Sequence, residues 1–209
     1  MFDLSKANAD QLDFFQEVQN IGAGNAATAL ATMLGKPINL QVPKVQFCQF
    51  SQVTDILNGP ESLCVGLLVS MTDDLNGFIL LVLEEEDAKD LSLSITGAMG
   101  IPPEDAGEDI LTDIQKSALM EVTNILSGSY LTAISTLTGL TIGVSVPSMV
   151  IDMAGAIMNV PAVTYGEFGD FMLLMETEFV DEEKSIAGHF FLVPDIASFD
   201  VLLKSMGME

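Results

Sequence analysis

The sequence predicts an α+β fold, internally duplicated about a pseudo-two-fold, with two long helices on one face of a mainly antiparallel sheet. Three observations carry that expectation. Asp13, Glu17 and Asn20, followed by Pro43, recur as Ser117, Glu121 and Asn124, followed by Pro147, with the copies 104 residues apart in a chain of 209. A repeat at half the chain length is the mark of a duplicated unit. Val18/Val122, Ile21/Ile125, Gly24/Gly128, Thr28/Thr132, Ala29/Ala133, Thr32/Thr136, Gly35/Gly139, Ile38/Ile142 and Val42/Val146 keep the same offset. Each copy also begins with a long stretch of helical period and continues into apolar runs of strand length, an order that suits helices laid on a sheet.

The elements follow in order. Residues 9–34 read as a helix, because Phe15, Val18, Ala26, Ala29, Leu30 and Met33 gather on one side at 100° per residue. Asp13, Glu17, Asn20, Gly24 and Thr28 form a stripe roughly 80° wide on the other side. Gly35 and Pro37 supply the stop signal. Residues 38–47 and 62–70 read as strands, and Asn76-Gly77 as a turn before a strand over 78–83. Helical character returns over 85–95. Pro102-Pro103-Glu104-Asp105 is the candidate boundary between repeats of about 1–103 and 104–209. It is too short for a flexible linker, so one domain with one continuous sheet is expected. The second half replays the order: a helix over 109–137, a strand over 141–151, strands over 171–179 and 186–193, and a terminal helix over 196–205. For residues 152–159, rich in Met, Ala and Gly, the pattern does not decide between helix and loop.

Composition excludes several kinds of function. Thirty acidic residues stand against seven basic ones, all lysine, for a formal net charge of −23. Phosphate and guanine recognition lean on the arginine fork, so a nucleic-acid role is excluded, and an anionic membrane surface is disfavoured by the same charge. The acidic runs at 84–87, 104–109 and 181–183 read as solvated surface. The chain is 49% hydrophobic, which argues for a sizeable core. Its longest apolar runs, 63–69 and 78–83, are too short to span a bilayer, and the opening residues lack a signal pattern. Cys48 and Cys64 are too few for a disulfide framework and read as buried free thiols, which fits the cytoplasm. His189 is the only histidine and lies in an apolar run, so neither a His-rich metal site nor two Ser-His sites can be built.

The polar trio is the candidate site. Residues at i, i+4 and i+7 share a helix face, so each trio can act on one partner. Asn is mildly unfavourable inside a helix, and Gly22 and Gly24 each cost about 1 kcal/mol relative to alanine. Such costs suggest a place where another backbone comes close, although Gly24 and Gly128 could equally let the two helices pack together. Ser127, Gly128 and Ser129 keep the second copy small as well. Pro43 and Pro147 read as strand-positioning residues. The string from Gly22 to Ala27 has the shape of a dinucleotide-binding turn but lacks the hydrophobic strand that must precede one.

On these residues the chain resembles the CheC family of chemotaxis phosphatases. The doubled [Asp/Ser]-x3-Glu-x2-Asn-x22-Pro pattern and the string from Asn20 to Ala27 carry the resemblance, which spans the chain from about Asp13 to the terminal helix. It implies hydrolysis of the aspartyl phosphate on the response regulator CheY. Glu17 and Glu121 would anchor the regulator's lysine, Asn20 and Asn124 would orient the attacking water, and Asp13 and Ser117 would support or cap the site. It implies no cofactor of this chain's own, since the regulator brings Mg²⁺. It also implies a second partner, the receptor deamidase CheD, with Asp152 in the run Val150-Ile151-Asp152-Met153 as its contact. Duplication within the chain makes a homodimer unnecessary, so a monomer is expected. Two other readings stay open: a non-catalytic adaptor between phosphorylated CheY and CheD, and a structural component of the flagellar switch.

Overall fold

The computed structural model describes residues 9–104, 106–164, 171–181 and 184–207. Asp105, Glu182 and Glu183 of the acidic runs lie outside the described residues. The first half contains α1 (Ala9–Leu34), β1 (Asn39–Gln49), α2 (Phe50–Ile56), β2 (Leu63–Asp73), β3 (Gly77–Glu84) and α3 (Glu85–Ala98). The second contains α4 (Asp113–Thr138), β4 (Ile142–Val144), β5 (Ser148–Met153), α5 (Ala154–Thr164), β6 (Phe171–Asp181), β7 (Lys184–Pro194) and α6 (Ile196–Ser205).

All seven strands form one sheet in the order β1-β6-β7-β3-β2-β4, with β5 also on β2. Every pairing among them is antiparallel. The two halves meet at the central β3–β7 pair. The first strand of each half leaves its own half: β1 pairs with β6, and β4 and β5 pair with β2. Neither half therefore completes its part of the sheet alone.

Alternating side chains give the sheet two apolar faces. On one, Val65, Leu67, Ile79, Leu81, Met175 and Phe190 pack with Phe15, Val18 and Leu30 of α1 and Val122, Leu126 and Ile134 of α4, and with residues of α3 and α6. On the other, Phe78, Leu80, Val82, Leu174 and Phe191 pack with Val53 of α2 and Ala154, Ile157 and Met158 of α5. The long helices thus share one face, as the sequence predicts. The cover on the reverse face is the difference: the sequence pattern predicts no helix at α2 and does not decide between helix and loop at α5.

Helix ends and strand breaks have local causes. α1 and α4 are followed by Gly35 and Gly139 at φ +66° and +75°, the left-handed turn that glycine adopts without strain. α4 begins at Asp113, four residues after the predicted start. Thr112 is its N-cap: the Gln115 N–H donates to Thr112 Oγ1 at 3.3 Å, and the Thr112 N–H donates to Gln115 Oε1 at 2.8 Å. The single strand predicted over 141–151 is broken into β4 and β5, with Pro147 in the gap. In the other copy the β1 register shifts between Gln41 and Lys44, the stretch that holds Pro43. Proline has no N–H for the ladder, so both edge strands are interrupted where it falls.

Candidate functional site

α1 and α4 lie side by side, and their contact is built from unequal partners. Gly22 is buried, and a Cβ added there would run into the Tyr130 ring and fall 3.1 Å from the Tyr130 Cα. Here α4 does come close to α1. Tyr130 is 1% exposed, its ring packs on that of Phe190 at a 44° tilt with centroids 4.7 Å apart, and burial pushes its hydroxyl pKa up to about 12. The 104-residue offset carries Gly22 to Leu126 and Tyr130 to Ala26, both fully buried, so small and large exchange places between the copies.

With these faces turned inward, the polar stripes are turned out. Asp13, Glu17 and Asn20 are all exposed, and so are Ser117, Glu121 and Asn124. The residues beneath them are fixed: Phe15, Val18, Leu119 and Val122 are each no more than 1% exposed. The glutamate and asparagine of each pair stand about 4.5 Å apart along the helix axis, from a rise of 1.5 Å per residue. Each stripe therefore presents a carboxylate beside a carboxamide, an anion beside a group that both donates and accepts hydrogen bonds.

The surroundings are uneven. The Ser117 hydroxyl donates to the Asp113 carbonyl at 2.9 Å, one turn back on its own helix. Lys116 lies 3.6 Å from Asp113 and 3.8 Å from Asp109, contacts open enough to water to add little stability. Of the residues flanking the pairs, Gln19 and Thr123 are buried, and the Thr123 hydroxyl bonds the Leu119 carbonyl at 2.8 Å. Further along each stripe, Thr32 bonds the Thr28 carbonyl at 2.9 Å and Thr136 the Thr132 carbonyl at 2.7 Å. An open cleft of about 350 Å³ begins at Gly128 and runs between α4 and β4 along Leu131, Thr132, Ser135, Ile142 and Val144.

Asp152 is elsewhere. It lies on β5 opposite Cys64, a residue of the reverse apolar face, while Met149 and Ile151 turn toward the long helices. The sheet therefore separates Asp152 from both Glu/Asn pairs. It is exposed, its carboxylate accepts the Met153 N–H at 2.7 Å, and Val150, two residues back on the same face, is an apolar residue 38% exposed.

Of the remaining candidates, Cys48 and Cys64 are buried and His189 is half-buried. Cys48 and Cys64 are free thiols, and burial pushes both up to about 11. His189 sits opposite Val82 and Glu176; burial lowers its pKa, against an upward pull from Glu176 and Glu84. Among the described residues, no group of three or more His, Cys, Asp or Glu could hold a metal ion, and no helix is long and apolar enough to cross a membrane.

A single antiparallel sheet carrying two matching polar helix faces defines a class of internally duplicated α+β proteins. A family model described as the CheC-like family matches residues 11–46 and 114–151, the stretches that run from each stripe into the strand after it. The CheY-P phosphatase CheC of Bacillus subtilis (strain 168) is 32% identical over 200 residues, 95% of this chain and 94% of that one. The flagellar motor switch phosphatase FliY of the same organism is 31% identical over 145 residues, 69% of this chain and 36% of that protein. The crystal structure of Thermotoga maritima FliY matches with a TM-score of 0.72 at 25% identity, over 96% of this chain and 99% of that one. The chain belongs to the CheC-like family.

Proposed function

We propose that this chain is a phosphatase that hydrolyses the aspartyl phosphate of the chemotaxis response regulator CheY. Each repeat, about 1–103 and 104–209, supplies one site. Glu17 and Glu121 accept the ammonium of the regulator's lysine. Asn20 and Asn124 enter the regulator's active site, where the carboxamide takes a hydrogen bond from a water and aims its oxygen at phosphorus. The water oxygen bonds to phosphorus, the aspartyl oxygen–phosphorus bond breaks, and free carboxylate and inorganic phosphate result.

The observation that carries this reading is the pair of exposed Glu/Asn stripes on rigid, buried-backed helices. Phosphoryl transfer asks mainly for positioning and charge stabilisation. The regulator holds the phospho-aspartate, its Mg²⁺ and its lysine, so this chain contributes an anchor and a water-orienting amide. A chain without arginine and with one histidine is suited to that division of labour. Asp13 and Ser117 serve the stripes as supports. The chain works as a monomer, both sites being present in one polypeptide.

Asp152, with the exposed Val150 beside it on the same face, is the proposed contact for CheD. Since it lies on the reverse face of the sheet, CheD and CheY can bind together. That patch also supports a second reading, in which the chain is an adaptor that binds phosphorylated CheY and CheD without turnover.

The test is the decay of phosphate on CheY from the same organism, with catalytic amounts of this protein, without and then with CheD. Accelerated decay that disappears in Asn20→Ala/Asn124→Ala is expected. Full activity in that double variant would overturn the mechanism, and no acceleration under either condition would favour the adaptor.

A further inference from the structure

Three helix glycines sit near the two sites, and their environments differ. Gly22 is demanded by the fold, since Tyr130 occupies the space a side chain would need. Gly24 and Gly128 are not: among the described residues, a Cβ added at either meets nothing within 4 Å. Neither falls in the left-handed region, both lie well inside their helices, and glycine there weakens a helix relative to alanine. The close packing of α1 on α4, a reason the sequence left open for these two glycines, is met by Gly22 instead. The same unfavourable residue therefore stands at the same place in both repeats, one turn beyond Asn20 and Asn124, with no packing reason among the described residues.

We propose that Gly24 and Gly128 are specificity positions, bare patches of helix on which the main chain of the phosphorylated regulator rests while Asn20 or Asn124 reaches its active site. The inference rests on the phosphatase reading and extends the docking face past the Glu/Asn pair. At the first site the Gly24 carbonyl accepts the Thr28 hydroxyl at 2.9 Å, which directs that side chain along the helix. At the second site the cleft between α4 and β4 continues from Gly128, and Val144 on its wall is 43% exposed. Among the described residues no charged side chain lines it, although the chain carries 30 acids. With Thr132, Ser135 and Thr136 beside Leu131, Ile142 and Val144, the cleft suits an uncharged side chain of the regulator. That contact is distinct from the lysine proposed to meet Glu121. A side chain at position 24 or 128 holds the regulator off by its own thickness and withdraws the asparagine from the phosphate.

The test compares wild type, Gly24→Ala/Gly128→Ala and Gly24→Leu/Gly128→Leu. The measurements are affinity for beryllofluoride-activated CheY from the same organism, hydrolysis of its phosphorylated form, and thermal melting. Alanine and leucine are good helix formers and the space is empty, so both variants are expected to melt at or above the wild-type temperature. The leucine pair is expected to weaken regulator binding and raise KM by about tenfold or more, as a steric block at an interface does, and the alanine pair to weaken it less. Weaker binding in a variant that melts higher cannot come from unfolding. Equal binding by wild type and the leucine pair would overturn the proposal. Binding by wild type that is lost in the leucine pair, with no hydrolysis by either, would uphold these positions and overturn the phosphatase reading. A wild type that does not bind the regulator would overturn both.

Discussion

α1 and α4 repeat most of their outward residues and differ where the two helices touch. Glu17, Asn20, Gly24, Thr28 and Thr32 are repeated at Glu121, Asn124, Gly128, Thr132 and Thr136, whereas Gly22 faces Tyr130 and the matching positions hold Leu126 and Ala26. The strands that follow differ too, β1 running through 11 residues with a register shift and its counterpart split into β4 and β5. Two identical subunits must present one sequence to both sides of an isologous contact. Fusion into a single chain removes that requirement. One helix could become small where the other became large, while the outward stripes kept one pattern because they serve one kind of partner.

The inward difference gives the largest expected effect. Tyr130→Ala empties a site that is 1% exposed and is expected to cost about 4 kcal/mol in denaturant unfolding. Gly22→Leu, which drives a side chain into the ring, is expected to cost about 3 kcal/mol. Combined, they place a large residue on α1 and a small one on α4, and the double variant should lose less than the sum. Additive losses would show that the two positions are independent.

The outward likeness is tested by rates. Asn20→Ala/Asn124→Ala should lower hydrolysis about 100-fold or more, as removal of a reaction-aligned amide does elsewhere. Each single variant should retain roughly half the wild-type rate if the sites act independently. A single variant with undiminished rate would mark its repeat as silent.

The central strands give a smaller contrast, since β7 carries His189 where β3 opposes it with Val82. Burial lowers the His189 pKa from 6.5, so below that pH the unfolded chain binds the proton more readily. The stability due to the neutral imidazole is full above 6.5 and is lost as the pH falls through the lowered folded value. Unfolding midpoints in denaturant should fall across that window in wild type and less in His189→Gln. An equal fall in both would assign the acid sensitivity to other groups. The smallest signal belongs to the thiols. Both cysteines lie in the first half, on β1 and β2, and with pKa values near 11 they should react slowly with a thiol reagent at neutral pH until the sheet opens. Rapid labelling of the native protein would place them at a surface.

Both long helices were legible because their apolar residues recur over seven turns. The terminal helix was equally clear, with Asp195 as its N-cap accepting from the Ser198 N–H at 2.6 Å. α2 was missed because Phe50–Ile56 is two turns long and polar at Ser51, Gln52, Thr54 and Asp55. A signal was present: the 104-residue offset sets Phe50 against Ala154, the first residue of α5, within the undecided segment. The break at Pro147 was hidden by the apolar residues on either side of it. The Glu/Asn stripes were readable because local spacing defines them. Gly22 and Gly24 look alike in sequence, and only the position of a residue 108 places along the chain from Gly22 tells them apart.

The crossed strands have a consequence for how the protein is made. β1 leaves the ribosome early, yet the strand it pairs with begins at Phe171. At 5–20 residues per second, the roughly 120 residues between them take on the order of 10 s. For that time a nascent first half carries a half-apolar strand with no neighbour, and on a polysome the nearest available one belongs to the next chain. The proline interruptions in both edge strands make poor templates for such capture. The surplus of acid over lysine sets emerging chains repelling one another. Slow synthesis or high salt should therefore favour products in which two chains have traded their first strands, each locked into the other's sheet.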